Sequence, residues 1–392
     1  MTKSDPLEYP VVLATDYPPT AGGGGAVMLR SLIEGPQRSG ILWTSLSALE
    51  RETPGALALT RGSTALKSLI KKRSTIVDVA LSHRLAVELH DLALKHRARL
   101  FWIVMHGAMV HVAARLMKIT RLPIHLTVHD DPVGVTLMSK RYLPLLPLVY
   151  RDFGLAMRRA TSIDVVGDGM ALHYRKIFGR NSVIVHRGLD GPIAKPPSQI
   201  EIDREVLEIG VLGNTYGYQQ LPKMAEAVER AAASVKRRGR VVVVGQGLGE
   251  RLRADVSQRV EVEVTGHLDE RAAIERLQRC FCLYLNYPFS SHFSLFRRTS
   301  FPTKLTTYLM AARPLFVNAP VDSSIAFLRS LPNYVAWWGD ESVDVGAAAL
   351  QRLWELPAAH ESRHVTAESI RSTYFDKATN QTRLFQMLGF PT

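Results

Sequence analysis

The chain has 392 residues, 46% hydrophobic and 22% charged, with 49 Lys and Arg against 36 Asp and Glu and a net charge of +13. That length exceeds one ordinary core and predicts two domains, while the composition excludes a disordered chain. No apolar run is long enough to span a bilayer, and the positive balance points to acidic partners: a phosphorylated ligand, an anionic membrane surface or nucleic acid.

The N-terminus, MTKSDPLEYP, is polar and leads straight into a strand, without the pattern of a signal peptide. The first predicted strand is YPVVLAT, Tyr9 to Thr15. After the turn-rich DYPPTAGGGG, the segment AVMLRSLIEGP has helical periodicity and is stopped by Gly35 and Pro36. HRLAVELHDLALKHRA reads as a helix, RLFWIVMH and PIHLTVHD as short buried strands, and GAMVHVAARLMKI as the helix between them. YLPLLPLVYRDFGLAMRRA is a further helix. TSIDVVGDGMALHYRKIFG reads as strand, turn and helix with Gly179 just past its end, and SVIVHRGLD as another strand.

DGPIAKPPSQIEIDRE, dense in Pro and charge, reads as a linker, so the first domain is expected over 1–190 and the linker over 191–205. The alternation then restarts with strands in VLEIGVLGN, RVVVVGQG, VEVEVTGH, CFCLYLNYP and PLFVNAP. Cys280 and Cys282 alternate in RCFCLYLN, so a strand places both on one buried face as core residues rather than as metal ligands or a disulfide. That cysteine usage predicts the reducing cytoplasm. The second domain is expected over 206–360, and helical patterns over 361–392 are expected to cross back to the first. Repeated strand–helix units predict an α/β fold of two doubly wound Rossmann-like domains facing across a cleft, with ligands at the C-terminal strand ends.

That rule selects the loops. In TAGGGGAVMLRS the glycines, Gly24 and Gly25 among them, let backbone approach a ligand at the start of a helix, although no Lys-Ser/Thr follows to make a Walker loop. VVVVGQGLGERL has Gly-x-Gly-x-Gly spacing, which departs from the dinucleotide fingerprint. LTVHDDPVG puts His129, Asp130 and Asp131 at a strand end, where they either orient a sugar hydroxyl and shuttle a proton or cap the turn before Pro132. Gly213 and Asn214 open the second domain as the glycine loop opens the first, with turn chemistry as the plainer account. In RRTSFPTKLTTYLMAARPLFV, Pro302 starts a helix and Lys304 falls in its first turn, a placement that suits an anionic ligand; Arg297 and Arg298 precede it. His106, His111, His129, His186, His267 and His292 show no metal-ligand spacing, so neither a metal nor a cofactor is expected.

Taken in order, VVLATDYPPTAGGGGAVMLRSL, LTVHDDP, VVGDGMALHYRKIFG, IGVLGN, VVVVGQG and FPTKLTTYLMAARPLFV resemble GT-B glycosyltransferases of the large family-four group, which are retaining and sugar-nucleotide-dependent. The resemblance implies that Gly24 and Gly25 contact donor phosphate or acceptor, His129 the transferred sugar and Lys304 the diphosphate. It also implies glutamates where Thr307 and Thr299 stand, the first gripping the nucleotide ribose. A threonine hydroxyl cannot accept two hydrogen bonds with the strength of a carboxylate, so the sequence predicts a rewired donor site. Donor-side residues are therefore expected to be Gly24, Gly25, Gly213, Asn214, Arg297, Lys304 and Thr307, with His129 and Asp130 catalytic.

STALKSLIKKR (Ser63 to Arg73) and MSKRYLPLLPLVYRDFGLAMRR (Met138 to Arg159) mix basic and apolar residues, as a protein peripheral on the inner face of a cell membrane would. The same stretches also fit one core face and one solvated face. No nucleic-acid motif occurs. The expected partners are a nucleotide-sugar donor, a glycan or lipid-linked acceptor and an anionic membrane surface. A sugar-nucleotide epimerase and a catalytically silent partner in a glycan-assembly complex are the alternatives.

Overall fold

The computed structural model describes residues 10–21, 24–46, 56–58, 74–138, 142–193, 205–213, 215–256, 260–356 and 360–390. The chain forms two compact units. The first comprises 1–188, 298–301 and 377–392; the second comprises 189–297 and 302–376. Most of the expected linker lies outside the described residues.

The first unit holds a seven-stranded parallel sheet in the order β3-β2-β1-β4-β5-β6-β7. Its strands are β1 (Val11–Thr15), β2 (Ile41–Ser45), β3 (Ala56–Ala58), β4 (Leu100–Val104), β5 (Ile124–Val128), β6 (Ser162–Val165) and β7 (Val183–Ile184). The central strands are apolar and buried on both faces because helices cover both sides. Two tryptophans sit fully buried in this sheet, each with its indole N–H donating to a threonine hydroxyl on a neighbouring strand: Trp43 to Thr15 and Trp102 to Thr127, both at 2.7 Å. A buried indole requires such an acceptor. The strand read over SVIVHRGLD is only two residues long.

The second unit holds a six-stranded parallel sheet in the order β10-β9-β8-β11-β12-β13. These are β8 (Val206–Leu212), β9 (Arg238–Val244), β10 (Glu261–Val264), β11 (Cys282–Asn286), β12 (Leu315–Asn318) and β13 (Val335–Trp338). Cys282 lies in β11 and Cys280 just before it, both fully buried and free. In each sheet the strand order turns back at one point, between β1 and β4 and between β8 and β11. Ligands in doubly wound sheets bind beside that point, beyond the C-terminal strand ends.

The helix Val343–Glu355 packs on Trp338 at Gly346, where an added Cβ would lie 2.7 Å from the fully buried indole. Trp338 in turn stacks on Phe316, with centroids 5.7 Å apart, so the ring has nowhere to retreat. Gly346→Ala is expected to destabilise the protein by about 1–3 kcal/mol despite alanine's better helix propensity, read as a lowered Tm.

The long C-terminal helical pattern is divided. Helix His360–Ile370 and the π-turn Arg371–Phe375 belong to the second unit, and helix Lys377–Leu388 belongs to the first. There the Asn380 side-chain carbonyl accepts from the His186 N–H at 2.8 Å, and Lys377 pairs with Glu34 at 2.6 Å. No helix among the described residues is long and apolar enough to cross a membrane.

Candidate functional site

In the first unit, β1 pairs with β4 and β4 with β5 in register, so the residues just past their C-terminal ends are neighbours. This brings together Asp16 and Tyr17, His106 and Gly107, and His129 and Asp130. Gly24 begins the helix Gly24–Ile33 and is exposed, while Gly25 faces the cluster. A Cβ on Gly25 would fall 2.9 Å from the Tyr17 hydroxyl and 3.0 Å from His129 Nδ1. Glycine there is what permits the tyrosine and the histidine to meet the helix start. Asp16 is accommodated likewise: Gly107 has φ of 52°, and any Cβ on it would collide with the Asp16 carboxylate.

Electrostatics separates the roles of the strand-end residues. Burial lowers the His129 pKa to about 4, so its imidazole is neutral near pH 7. Its Nε2 is buried and has no hydrogen-bond partner among the described residues, and neither has the buried Tyr17 hydroxyl. Buried polar atoms are nearly always satisfied, so an unsatisfied one calls for a partner such as a water, an ion or a ligand. Burial also raises Asp130, with the neighbouring Asp131 adding to the shift and His106 opposing it. His106 is raised instead, mainly by its contact with Asp16, whose carboxylate lies 3.3 Å from Nδ1. Asp131 is the structural member of the pair. It caps the helix Pro132–Leu137 by accepting from Gly134 N–H at 2.7 Å, and it accepts from the Tyr174 hydroxyl at 2.9 Å. The turn-capping account of LTVHDDPVG thus describes Asp131, and Asp130 is left beside His129 in the cluster.

In the second unit, glycines with left-handed φ stand at the ends of three adjacent strands: Gly213 (59°) after β8, Gly245 (139°) and Gly247 (76°) after β9, and Gly266 (74°) after β10. Their backbones close on one another. The Gly213 N–H donates to the Val244 carbonyl at 2.8 Å, and a Cβ on Gly245 would lie 3.5 Å from the Gly213 α-carbon. Nothing lies within 4 Å of where a Gly213 side chain would be, so this backbone edge is open. Asn214 lies outside the described residues.

Lys304 opens the seven-residue helix Lys304–Met310. One turn later and on the same face, the Tyr308 hydroxyl accepts from the Leu212 N–H and donates to the Tyr284 carbonyl, both at 2.9 Å. This buried tyrosine pins the helix to the last residue of β8 and the middle of β11. Burial lowers the Lys304 pKa from 10.5 to about 8. Thr307, buried on the same helix, donates to the Glu270 carboxylate at 3.5 Å. A carboxylate therefore does stand beside Thr307, contributed by the exposed first residue of helix Glu270–Leu277.

Arg297 departs from the donor-side expectation. Its guanidinium is clamped by both Asp322 oxygens at 2.7 and 2.9 Å and by the carbonyls of Phe289 and Ser290. Four of its five N–H donors are engaged in this way, so it braces two loops of the second unit and keeps a single Nη2 N–H for any ligand. Sequence reasoning also passed over Asp16, Tyr17 and His106 in the first unit and Glu270, Gly245, Gly266 and Tyr308 in the second. Position alone could have found the first three, since each lies within two residues of a strand end. Among the described residues no group of three or more His, Cys, Asp or Glu is placed to hold a metal ion.

As a sequence the chain matches no family model and no curated protein. Among solved structures it is similar to sucrose-phosphate synthase from Thermosynechococcus elongatus, with a TM-score of 0.69, 14% identity, and 97% of this chain and 98% of that one covered. It is similar to HepE from Anabaena in complex with UDP and glucose, with a TM-score of 0.67, 14% identity, and 98% and 100% covered. A third is an α,α-trehalose-phosphate synthase (UDP-forming) from Burkholderia xenovorans in complex with glucose-6-phosphate, with a TM-score of 0.62, 13% identity, and 97% and 100% covered. Likeness over nearly the whole of both chains at such low identity establishes the architecture: the fold is that of the GT-B glycosyltransferases, two Rossmann-like domains each built on a parallel sheet.

Proposed function

We propose that the protein is a glycosyltransferase that moves a hexose from a nucleotide-sugar donor to a glycan or lipid-linked acceptor, with retention and without a metal, in the synthesis of a surface polysaccharide or glycolipid. The observation that carries the reading is His129: a neutral imidazole at a strand end, its Nε2 buried and unpartnered among the described residues, next to a helix start kept bare by Gly25. Such a nitrogen suits a sugar hydroxyl.

The two units divide the work. Gly213, Gly245 and Lys304 receive the diphosphate: the glycines offer approachable backbone and the lysine a desolvated positive charge, which matters most as the leaving group gains negative charge. In the retaining step the bond from the anomeric carbon to the phosphate oxygen breaks. The acceptor hydroxyl bonds to that carbon on the same face, and its proton passes to the departing phosphate. No protein nucleophile is needed. Glu270 and Thr307 together replace a single ribose-gripping glutamate, the carboxylate accepting from the ribose diol and the threonine hydroxyl holding the carboxylate in place. UDP is the first nucleotide to try, since structural neighbours are described with UDP or as UDP-forming.

Melting the protein against a panel of nucleotides and nucleotide sugars, with and without EDTA, tests the reading. At about a hundred times its Kd a true donor stabilises by about 2.7 kcal/mol. The expected result is a shift with one nucleotide, unaffected by EDTA. No shift with any of them would leave a catalytically silent partner protein as the better account. In the same titration Glu270→Gln is expected to weaken the nucleotide by about 1.5–3 kcal/mol, the range for hydrogen bonds to a charged group, while inorganic pyrophosphate binds unchanged.

Peripheral membrane association belongs to the proposal too. Its support is the net charge of +13 and the exposed Leu143, Tyr150 and Arg151 on one side of the segment Leu143–Arg159, whose other side is core. The companion stretch Ser63 to Arg73 lies outside the described residues. Co-sedimentation with anionic but not neutral vesicles, lost in high salt, is the expected behaviour.

A further inference from the structure

Away from the strand ends that carry the donor residues, the second unit buries two arginines for which the proposed chemistry has no use. Arg313 precedes β12 and is 1% exposed; Arg363, on helix His360–Ile370, is 4% exposed. Both belong to the N-terminal edge of the sheet. Leu283 of β11 pairs with Leu315 of β12, and Leu315 pairs with Val335 of β13, so Phe281, Arg313 and Tyr334 are brought side by side at the strand starts. Arg363 reaches the same place from its helix, its guanidinium carbon 5.9 Å above the Phe281 ring.

The hydrogen bonding there is incomplete. Arg313 donates its Nε to the Gln278 carbonyl at 2.5 Å, but among the described residues neither arginine forms an ion pair. Among the described residues Arg363 Nη1 is buried without a hydrogen-bond partner, and so is the hydroxyl of Tyr334, a residue 1% exposed. The unspent groups are the Arg363 Nη1, which can only donate, and the Tyr334 hydroxyl, which can donate or accept. The remaining neighbours, Phe281 and the Cys282 thiol, supply no charge: burial raises Cys282 far above its ordinary range, so it stays a neutral thiol. Burial, with repulsion from Arg363 adding to it and Cys280 opposing, lowers Arg313 only to about 10, and burial lowers Arg363 too; a guanidinium keeps its proton inside proteins, so both are charged at neutral pH. Two like charges out of water, with unsatisfied polar atoms beside them and no carboxylate paired to either among the described residues, are costly unless an anion completes the set.

We infer that Arg313, Arg363 and Tyr334 form an internal site for a small inorganic anion, chloride under ordinary conditions, that holds the starts of β11, β12 and β13 to helix His360–Ile370. The Arg363 Nη1 and Tyr334 hydroxyl donate to the anion directly, and Arg313 faces it with the guanidinium nitrogens not used on Gln278. The anion is a structural component. It is independent of the nucleotide reading, because the residues, the edge of the sheet and the readout are all different.

The test measures melting of the full chain in chloride against gluconate at constant ionic strength, without nucleotide. Tm is expected to rise with the logarithm of chloride above the half-saturating concentration, by about 2–4 °C for each tenfold increase. Bromide is expected to substitute and to give an anomalous peak between Arg363 and Tyr334 in bromide-grown crystals. Arg363→Met should melt identically in both salts. Should that variant fail to fold, Tyr334→Phe keeps the packing and removes one donor, and is expected to require several-fold more chloride for the same shift. Equal melting of the unmodified protein in chloride and gluconate overturns the inference, and so does a chloride response that survives unchanged in Arg363→Met or Tyr334→Phe. A water network in place of the bromide peak overturns it as well.

Discussion

Lys304→Ala is expected to lower kcat/KM by about 10²–10³-fold, with the larger part in kcat. Donors aimed at charge that develops in the transition state are worth about 2.7–4 kcal/mol each, because the site is desolvated before the reaction begins. Tyr308 fixes where Lys304 stands, and it is untouched by the substitution, so the helix should keep its place. The pH dependence gives a second readout. Burial holds the Lys304 pKa near 8 against 10.5 for an ordinary lysine. Between those values the unfolded chain binds a proton that the folded, unliganded chain does not. This group's contribution to stability is therefore present at high pH and is lost as pH falls through about 8. A bound diphosphate reverses the preference by favouring the ammonium. Nucleotide affinity is accordingly expected to fall as pH rises through 8 in the unmodified protein and to lose that limb in Lys304→Ala. An unchanged pH profile of affinity in the variant would show that Lys304 does not meet the diphosphate.

His129→Ala is expected to cost about 10²-fold in kcat with little change in nucleotide affinity if, as proposed, the imidazole meets the sugar and Lys304 the diphosphate. The residue's titration near pH 4 carries a sharper consequence. An ordinary histidine would put an inflection near 6.5 into the rate profile. Here the limb belonging to His129 lies near 4, and rates between pH 5.5 and 8 should show none that disappears in His129→Ala. Such an inflection, vanishing with the side chain, would mean that the imidazole works as a titrating base rather than as a neutral hydrogen-bonding group. Asp16 gives the contrast: it holds its partner His106 toward the charged form, so two histidines on adjacent strand ends are shifted in opposite directions.

What could be read from the sequence follows the physics of each element. Fully buried parallel strands announce themselves as apolar runs, and β1, β4, β5, β8, β9, β11 and β12 do so. The strand ILWTS at β2 and the strand VAWW at β13 lack the flanking turn signals that would have separated them from their surroundings, and β3 is three residues long. The strand-end rule alone located His129, Gly25 and Gly213. It could not show what engages Arg297, because its carboxylate partner Asp322 lies 25 residues on, beyond one further helix and a strand. Nor could it place Glu270 beside Thr307, 37 residues away, because that meeting exists only once two helices have packed. Local pattern reports which backbone edge faces a ligand. Which side chains converge on that edge is decided by tertiary contacts between distant segments.

The helix Lys377–Leu388 has a consequence for the order in which the molecule is made. It completes the unit that begins with β1, supplying Asn380 to His186 and Lys377 to Glu34, yet it leaves the ribosome after every strand of both sheets. The first sheet can collapse early in translation, but its docking groove for this helix stays bare while the second unit is synthesised and folds. The nascent protein must therefore carry an unfinished core, lacking Leu384, Phe385 and Leu388, through most of its synthesis. Chaperone dependence and sensitivity to a premature stop codon should both trace to that unfinished core.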